Sequence, residues 1–185
     1  MSITSIGSIE ILFSEETIKN RVKEMGEQIT SDYKGLTVTL IGTLKGSVYF
    51  LSDLSRELNL NQEIEFVKAS SYGLSSVSSG DVKIDFATFK SLKDKHVLCI
   101  EDIVDTGSTV SYLGKYLLKM EPASLKLASL LNKPSRRKVY DINIDYLGFN
   151  IPDEFVVGYG LDYAEKYRNL KYIGILDSLA LLYLR

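Results

Sequence analysis

Cysteine occurs once among the 185 residues, at Cys99, so no intrachain disulfide can form. Its apolar surroundings predict a buried thiol suited to a reducing compartment, and the protein is expected in the cytoplasm. Histidine is equally scarce. His96 has neither a second histidine nor a cysteine pair to join it, which removes the usual basis of a zinc site. It reads as an ordinary polar residue before a strand. A strong charge of either sign is missing too: 22 basic against 24 acidic residues leave a net charge of −2, and with it no electrostatic case for a nucleic-acid partner. No stretch approaches the roughly 18 apolar residues of a membrane span, and the N-terminus lacks a basic segment followed by an apolar run. Repeats, low-complexity linkers and a composition boundary are absent. With only three prolines, 45% hydrophobic and 25% charged residues, the chain is expected to form one domain over 1–185.

What is present is an alternation of strand and helix patterns. Ile9 to Phe13 is a short apolar run, and Ser14-Glu15-Glu16 supplies a cap and acidic first turn for a helix with Ile18, Val22, Met25 and Ile29 on one face. Leu36 to Ile41 reads as the first central strand, and a helix after Gly46 turns Val48, Leu51, Leu54 and Leu58 inward. Further strand patterns span Ile64 to Ala69, Val82 to Phe86 and the run opening at Val97. A helix from about Gly107 to Met120 and a strand from Leu125 to Leu131 complete a βαβαβ series. That series argues for an α/β fold, a mainly parallel sheet flanked by helices, with ligands outside the carboxyl ends of its strands. Beyond residue 132 the regularity weakens. Tyr146 to Phe149, Phe155 to Val157 and Tyr172 to Leu176 read as short strands, expected to fold back with the N-terminal segment as a small lobe over the sheet. Arg136-Arg137-Lys138, ahead of these strands, reads as a solvated turn or a subunit contact.

Val97 to Val110 concentrates the chemistry. A buried strand pattern turns through Glu101, Asp102 and Asp105, then presents Thr106, Gly107, Ser108 and Thr109 where a helix begins. Glycine permits close backbone approach, and free amide groups at a helix N-terminus favour a phosphate. Carboxylates beside it would repel that phosphate unless they hold sugar hydroxyls or a divalent cation. Asp105-Thr106-Gly107-Ser108 also spells the aspartic-protease tetrapeptide, but only one copy exists and a helix pattern follows it. An acidic turn capped by Asp and Thr is the plainest alternative. Gly42 to Ser47 superficially suggests an ATPase loop, yet Lys45 precedes Gly46, the reverse of the order such a loop requires. Ser70 to Gly80, with six serines and two glycines in eleven residues, reads as a loop that cannot fill a core.

Four apolar positions followed by Glu-Asp-x-x-Asp-Thr-Gly-x-Thr resemble the signature of the type I phosphoribosyltransferases, which bind 5-phosphoribosyl 1-pyrophosphate. The resemblance implies that fold, including a small hood lobe built from both terminal segments. It also implies that Glu101 and Asp102 meet the ribose hydroxyls, directly or through Mg2+. Residues Asp105, Thr106, Gly107, Ser108 and Thr109 would wrap the 5-phosphate, with Asp105 as general base. Leu44-Lys45-Gly46 matches a pyrophosphate loop whose Leu–Lys peptide can be cis, and Ser71-Tyr72 match a loop that closes over the reacting centre. Ile151 to Tyr163 is similar to the 6-oxopurine members. There Phe155 would stack on the base, Val156 would meet its edge through the backbone, Asp162 would serve a second Mg2+, and Arg168 would hold pyrophosphate. Lys133, a donor only, suits a 6-oxo group and not a 6-amino group. The implied reaction is transfer of phosphoribosyl to hypoxanthine or guanine, with xanthine left open and assembly as a homodimer or homotetramer. Ser108 departs from the pattern, standing where an apolar residue is common. A regulator keeping this fold to bind nucleic acid would need a dense basic face and a damaged catalytic set, and the chain has neither.

Overall fold

Side-chain alternation along each strand sorts the core onto two faces of one sheet. The computed structural model describes residues 9–71, 82–85 and 91–177. Its elements are β1 (Ile9–Phe13), α1 (Glu15–Asp32), β2 (Thr37–Leu44), α2 (Val48–Glu57), β3 (Asn61–Ser71), β4 (Val82–Asp85), β5 (His96–Val104), α3 (Ser108–Leu118), β6 (Ser124–Asn132), β7 (Tyr146–Asn150), β8 (Val156–Val157) and β9 (Ile173–Leu176). The main sheet has the order β4-β3-β2-β5-β6-β7. From β3 to β7 all neighbours are parallel, while β4 runs antiparallel along the β3 edge.

Val38, Leu40, Leu98, Ile100, Ala128 and Leu130 face α1 and α2, whereas Ile41, Val97, Cys99 and Leu127 face α3. The period of two is what makes both faces apolar in strands covered on each side. Helix α1 begins at Ser14, whose hydroxyl accepts from the Thr17 amide at 3.1 Å, and buries Ile18, Val22, Met25 and Ile29. Loss of that cap would cost about 1 kcal/mol. Helix α2 buries Phe50, Leu51 and Leu54, so Phe50 replaces the half-buried Val48 in the expected inward set. No helix among the described residues is long and apolar enough to cross a membrane.

Several boundaries differ from the sequence reading. Strand β2 continues three residues past Ile41, because its parallel pairing with β3 persists to Leu44 opposite Lys68. Strand β5 likewise runs on to Val104, and Glu101 pairs with Ser129 of β6, so the first two acids lie on a strand end and not in a turn. Strand β7 joins the main sheet beside β6 instead of the small lobe, since Leu131 and Asn132 still offer a free edge to Phe149 and Asn150. The lobe itself is the three-stranded antiparallel sheet β1-β9-β8, which unites the N-terminal run with the tail as expected. Of the Ser70–Gly80 loop, Ser71 is the last residue of β3, and Tyr72 lies outside the described residues.

Candidate active site

Strand order reverses between β2 and β5: the chain passes from β2 outward to β3, then returns to β5 and proceeds the other way to β6 and β7. At such a switch point the loops leaving adjacent strands diverge and open a crevice. A cavity of about 780 Å³ lies there, lined by the ends of β2 and β5, the start of α3 and the 162–168 loop.

The β2 side contributes the Leu44–Lys45 peptide, which is cis, followed by Gly46. Ser47 anchors this turn by donating its hydroxyl to the Thr43 carbonyl at 2.8 Å in a buried position. Gly46 lies so close to Asp102 that a β-carbon there would collide with the carboxylate. Across the crevice Glu101, 4% exposed, accepts from Thr43 Oγ1 at 2.7 Å, and Asp102 Oδ1 accepts from the Ile103 amide at 2.9 Å. Burial pushes the Glu101 carboxyl up to about 8, with the charge of Asp102 adding to it and the Thr43 hydroxyl opposing. Burial likewise raises Asp102 to about 6, against the Ile103 amide and the charge of Arg168.

Beyond Val104 the chain bends through Asp105, Thr106 and Gly107. Gly107 has φ +87, a left-handed conformation that suits glycine, and α3 starts at the next residue. Thr106 Oγ1 accepts from the Ser108 amide at 3.3 Å and donates to Ser108 Oγ at 3.2 Å. Thr106, Gly107 and Thr109 line the cavity, and Ser108 does not. The basic connection after β6 folds onto this bend, since the Lys138 and Val139 amides both donate to the Thr106 carbonyl. Arg136 Nε lies 3.0 Å from Asp105 Oδ1, and Arg137 donates to Asn132. These arginines are therefore part of the floor around the bend and not merely a solvated turn, because two main-chain bonds dock their loop there.

The 158–170 loop supplies the remaining wall. Arg168 donates to the Gly160 carbonyl at 2.7 Å and pairs with Asp162 at 2.7 Å. The expected base-binding residues sit apart from this cavity's lining: Lys133 is 7% exposed just after β6, Val156 is buried in β8, and Phe155 packs edge-on to Tyr163 at 5.6 Å between centroids. Asp153, two residues before Phe155, pairs with Arg136 at 3.5 Å, which ties that turn to Asp105. Sequence reasoning missed Thr43, Lys68, Arg136 and Glu165. Thr43 and Lys68 were findable as residues at the carboxyl ends of parallel strands, whereas nothing local marked Arg136 or Glu165.

The buried carboxyl pair has a thermodynamic signature. Glu101 holds its proton in the fold to a pH of about 8, against an ordinary 4.5, so within that window the folded chain binds a proton that the unfolded chain releases. Stability therefore falls as pH rises through the window. In EDTA, the unfolding midpoint is expected to drop by about 5 °C between pH 6 and 8.5, and Glu101→Gln to flatten the slope. An identical slope in wild type and variant, by calorimetry, would refute this.

Two acids on a strand end, a glycine bend opening a helix, and Lys45 and Arg168 meet at one switch point, and the chain belongs to the phosphoribosyltransferase family. The model of the phosphoribosyl transferase domain matches residues 8–164. Within the family the chain is 48% identical to the hypoxanthine-guanine phosphoribosyltransferase of Bacillus subtilis over 167 residues, covering 90% of this chain and 92% of that protein. It is 46% identical to the hypoxanthine phosphoribosyltransferase of Escherichia coli K12 over 169 residues, 90% of this chain and 94% of that one. Among solved structures, a hypoxanthine-guanine phosphoribosyltransferase from Bacillus anthracis superposes with a TM-score of 0.86 at 43% identity, over 92% of this chain and 100% of that chain. A Staphylococcus aureus hypoxanthine phosphoribosyltransferase gives 0.87 at 44% identity, over 95% and 97%.

Proposed function

We propose that this chain transfers the 5-phosphoribosyl group of 5-phosphoribosyl 1-pyrophosphate to hypoxanthine and guanine, releasing pyrophosphate and yielding the nucleoside 5-monophosphates of purine salvage. The observation that carries this reading is the convergence of Glu101, Asp102, the 105–109 bend, Lys45 and Arg168 on one crevice. Glu101 and Asp102 hold the ribose hydroxyls, and the amides at the start of α3 hold the 5-phosphate. Lys45, the Gly46 backbone and Arg168 hold the pyrophosphate. As the bond from the anomeric carbon to pyrophosphate breaks, positive charge grows on the sugar, and the acids beneath it stabilise that charge, Asp102 as the ionised member of the pair at neutral pH. The purine nitrogen bonds to the same carbon, and Asp105 accepts or stabilises the proton at N7. Lys133 donates to the 6-oxo group, Phe155 stacks on the base, and the Val156 backbone reads its edge. Ser71 and Tyr72 belong to the segment that excludes water.

The donor set fits Mg2+. Among the described residues five acids, Glu101, Asp102, Asp105, Asp162 and Glu165, line the cavity with three cations, Lys45, Lys68 and Arg168; even with Glu101 protonated below about pH 8 the negative groups outnumber the positive ones, and a divalent ion would offset that excess for an incoming polyanion. Among the described residues no three His, Cys, Asp or Glu side chains form a metal cluster of their own. Glu101 and Asp102 would serve one Mg2+ at the ribose hydroxyls and Asp162 a second, each ion relying on substrate and water oxygens besides these side chains. When bound it supplies charge neutralisation to the leaving group. A single 1–185 domain, cytoplasmic location and assembly as a homodimer or homotetramer complete the reading, the location supported by the free buried Cys99.

The decisive assay follows pyrophosphate release with the donor and Mg2+, comparing hypoxanthine, guanine, xanthine and adenine. Turnover with oxopurines and none with adenine is expected. Adenine turnover matching that of hypoxanthine would remove Lys133 as selector, and inactivity with every base would overturn the proposal.

A further inference from the structure

Both cations assigned to the leaving pyrophosphate carry a carboxylate from their own chain. Lys45 Nζ lies 2.8 Å from Glu165 Oε2, and Arg168 Nη2 lies 3.5 Å from Glu165 Oε1. One carboxylate thus spans the two cations with an oxygen on each, the bridging arrangement a diphosphate would also adopt. The turn is built to aim it. Glu165 takes φ +64 after Ala164 at φ +49, its amide donates to Asp162 Oδ2 at 2.9 Å, and the Tyr163–Lys166 bridge closes the turn. The hydrogen bond from Lys45, more than its charge, keeps the Glu165 carboxyl below its ordinary value, so Glu165 is ionised at neutral pH.

We infer that Glu165 is an internal counter-anion that competes with pyrophosphate for Lys45 and Arg168 and so hastens release of that product. This rests on the reading that these two residues hold pyrophosphate. The Lys45 and Glu165 side chains are 60% and 66% exposed, so the contact is screened by solvent and readily exchanged. A weak, displaceable carboxylate keeps the two cations in position without barring the donor. Glu165 acts here as a positioning residue and takes no part in bond making.

The test is calorimetric titration of inorganic pyrophosphate, with Mg2+ present throughout, into wild type, Glu165→Gln and Glu165→Ala at about 0.05 M and 0.5 M NaCl, paired with pyrophosphate inhibition of the forward reaction. Both variants are expected to bind pyrophosphate about 3- to 10-fold more tightly at low salt, with inhibition constants falling in step and the gain shrinking at high salt. A merely structural role would weaken binding instead. Equal or weaker affinity in both variants, with wild-type binding and turnover intact, overturns this inference alone. A wild type that neither binds pyrophosphate nor turns over oxopurines overturns the transfer reaction and the inference together.

Discussion

Asp105→Asn is expected to lower kcat by about 10²–10⁴-fold while donor affinity changes little. Asp105 stands one residue past β5, 39% exposed, with Arg136 Nε at 3.0 Å from one carboxylate oxygen. Asparagine has the same shape and retains an oxygen for Arg136, so the floor of the site is preserved. What it loses is the capacity to take a proton. The loss should therefore fall on the chemical step, separable by single-turnover kinetics from binding and product release. Full turnover with an unchanged pH profile would dismiss Asp105 as the base. Arg136 belongs in the same experiment's interpretation, because it holds Asp105 and Asp153 together and thereby links the bend to the turn carrying Phe155.

Gly46→Ala should be nearly as damaging, for a different reason. A β-carbon at this position meets the Asp102 carboxylate, and the backbone cannot retreat, because Gly160 packs so tightly on the Gly46 carbonyl that it too has no room for a side chain. Asp102 must then rotate away from the place where it is proposed to meet the ribose, or the whole 44–47 turn must shift. A displacement near 1 Å costs about 10²-fold in rate where the reacting groups must be aligned, and that is the loss expected in kcat/KM. Circular dichroism should remain that of the wild type, since Gly46 lies between β2 and α2 and outside both. Wild-type kcat/KM in this variant would show that Asp102 has another place to go without cost. The two substitutions separate the proton-handling part of the site from its geometric part.

Much of the architecture is legible in residue order. The spacing of Ile18, Val22, Met25 and Ile29 sets the buried face of α1, and Ser14 marks its start, because both signals act within a few residues. The Glu101-Asp102…Asp105-Thr106-Gly107 series was readable for the same reason: strand end, bend and helix start are contiguous. Lys45, by contrast, was placed through resemblance, as its own surroundings read equally well as a glycine turn with an exposed lysine. Strand ends were the weak point. Gly42, Thr43 and Leu44 have no strand pattern of their own and are held in β2 by β3, a neighbour whose pairing is not encoded locally.

The sequence by itself determined the α/β class, the acidic strand end beside a glycine bend that opens a helix, and the side-chain types gathered there, since these depend on residue types at short separations. Only the tertiary structure decided which distant groups meet. It brought Thr43 to Glu101 across 58 positions and Glu165 to Lys45 across 120, and it moved β7 from the expected lobe into the main sheet. It also turned Arg136 from a surface basic residue into a partner of Asp105. The physical reason is common to all of these: strand pairing and loop docking are long-range contacts, settled by the edges and cavities that the rest of the fold leaves open.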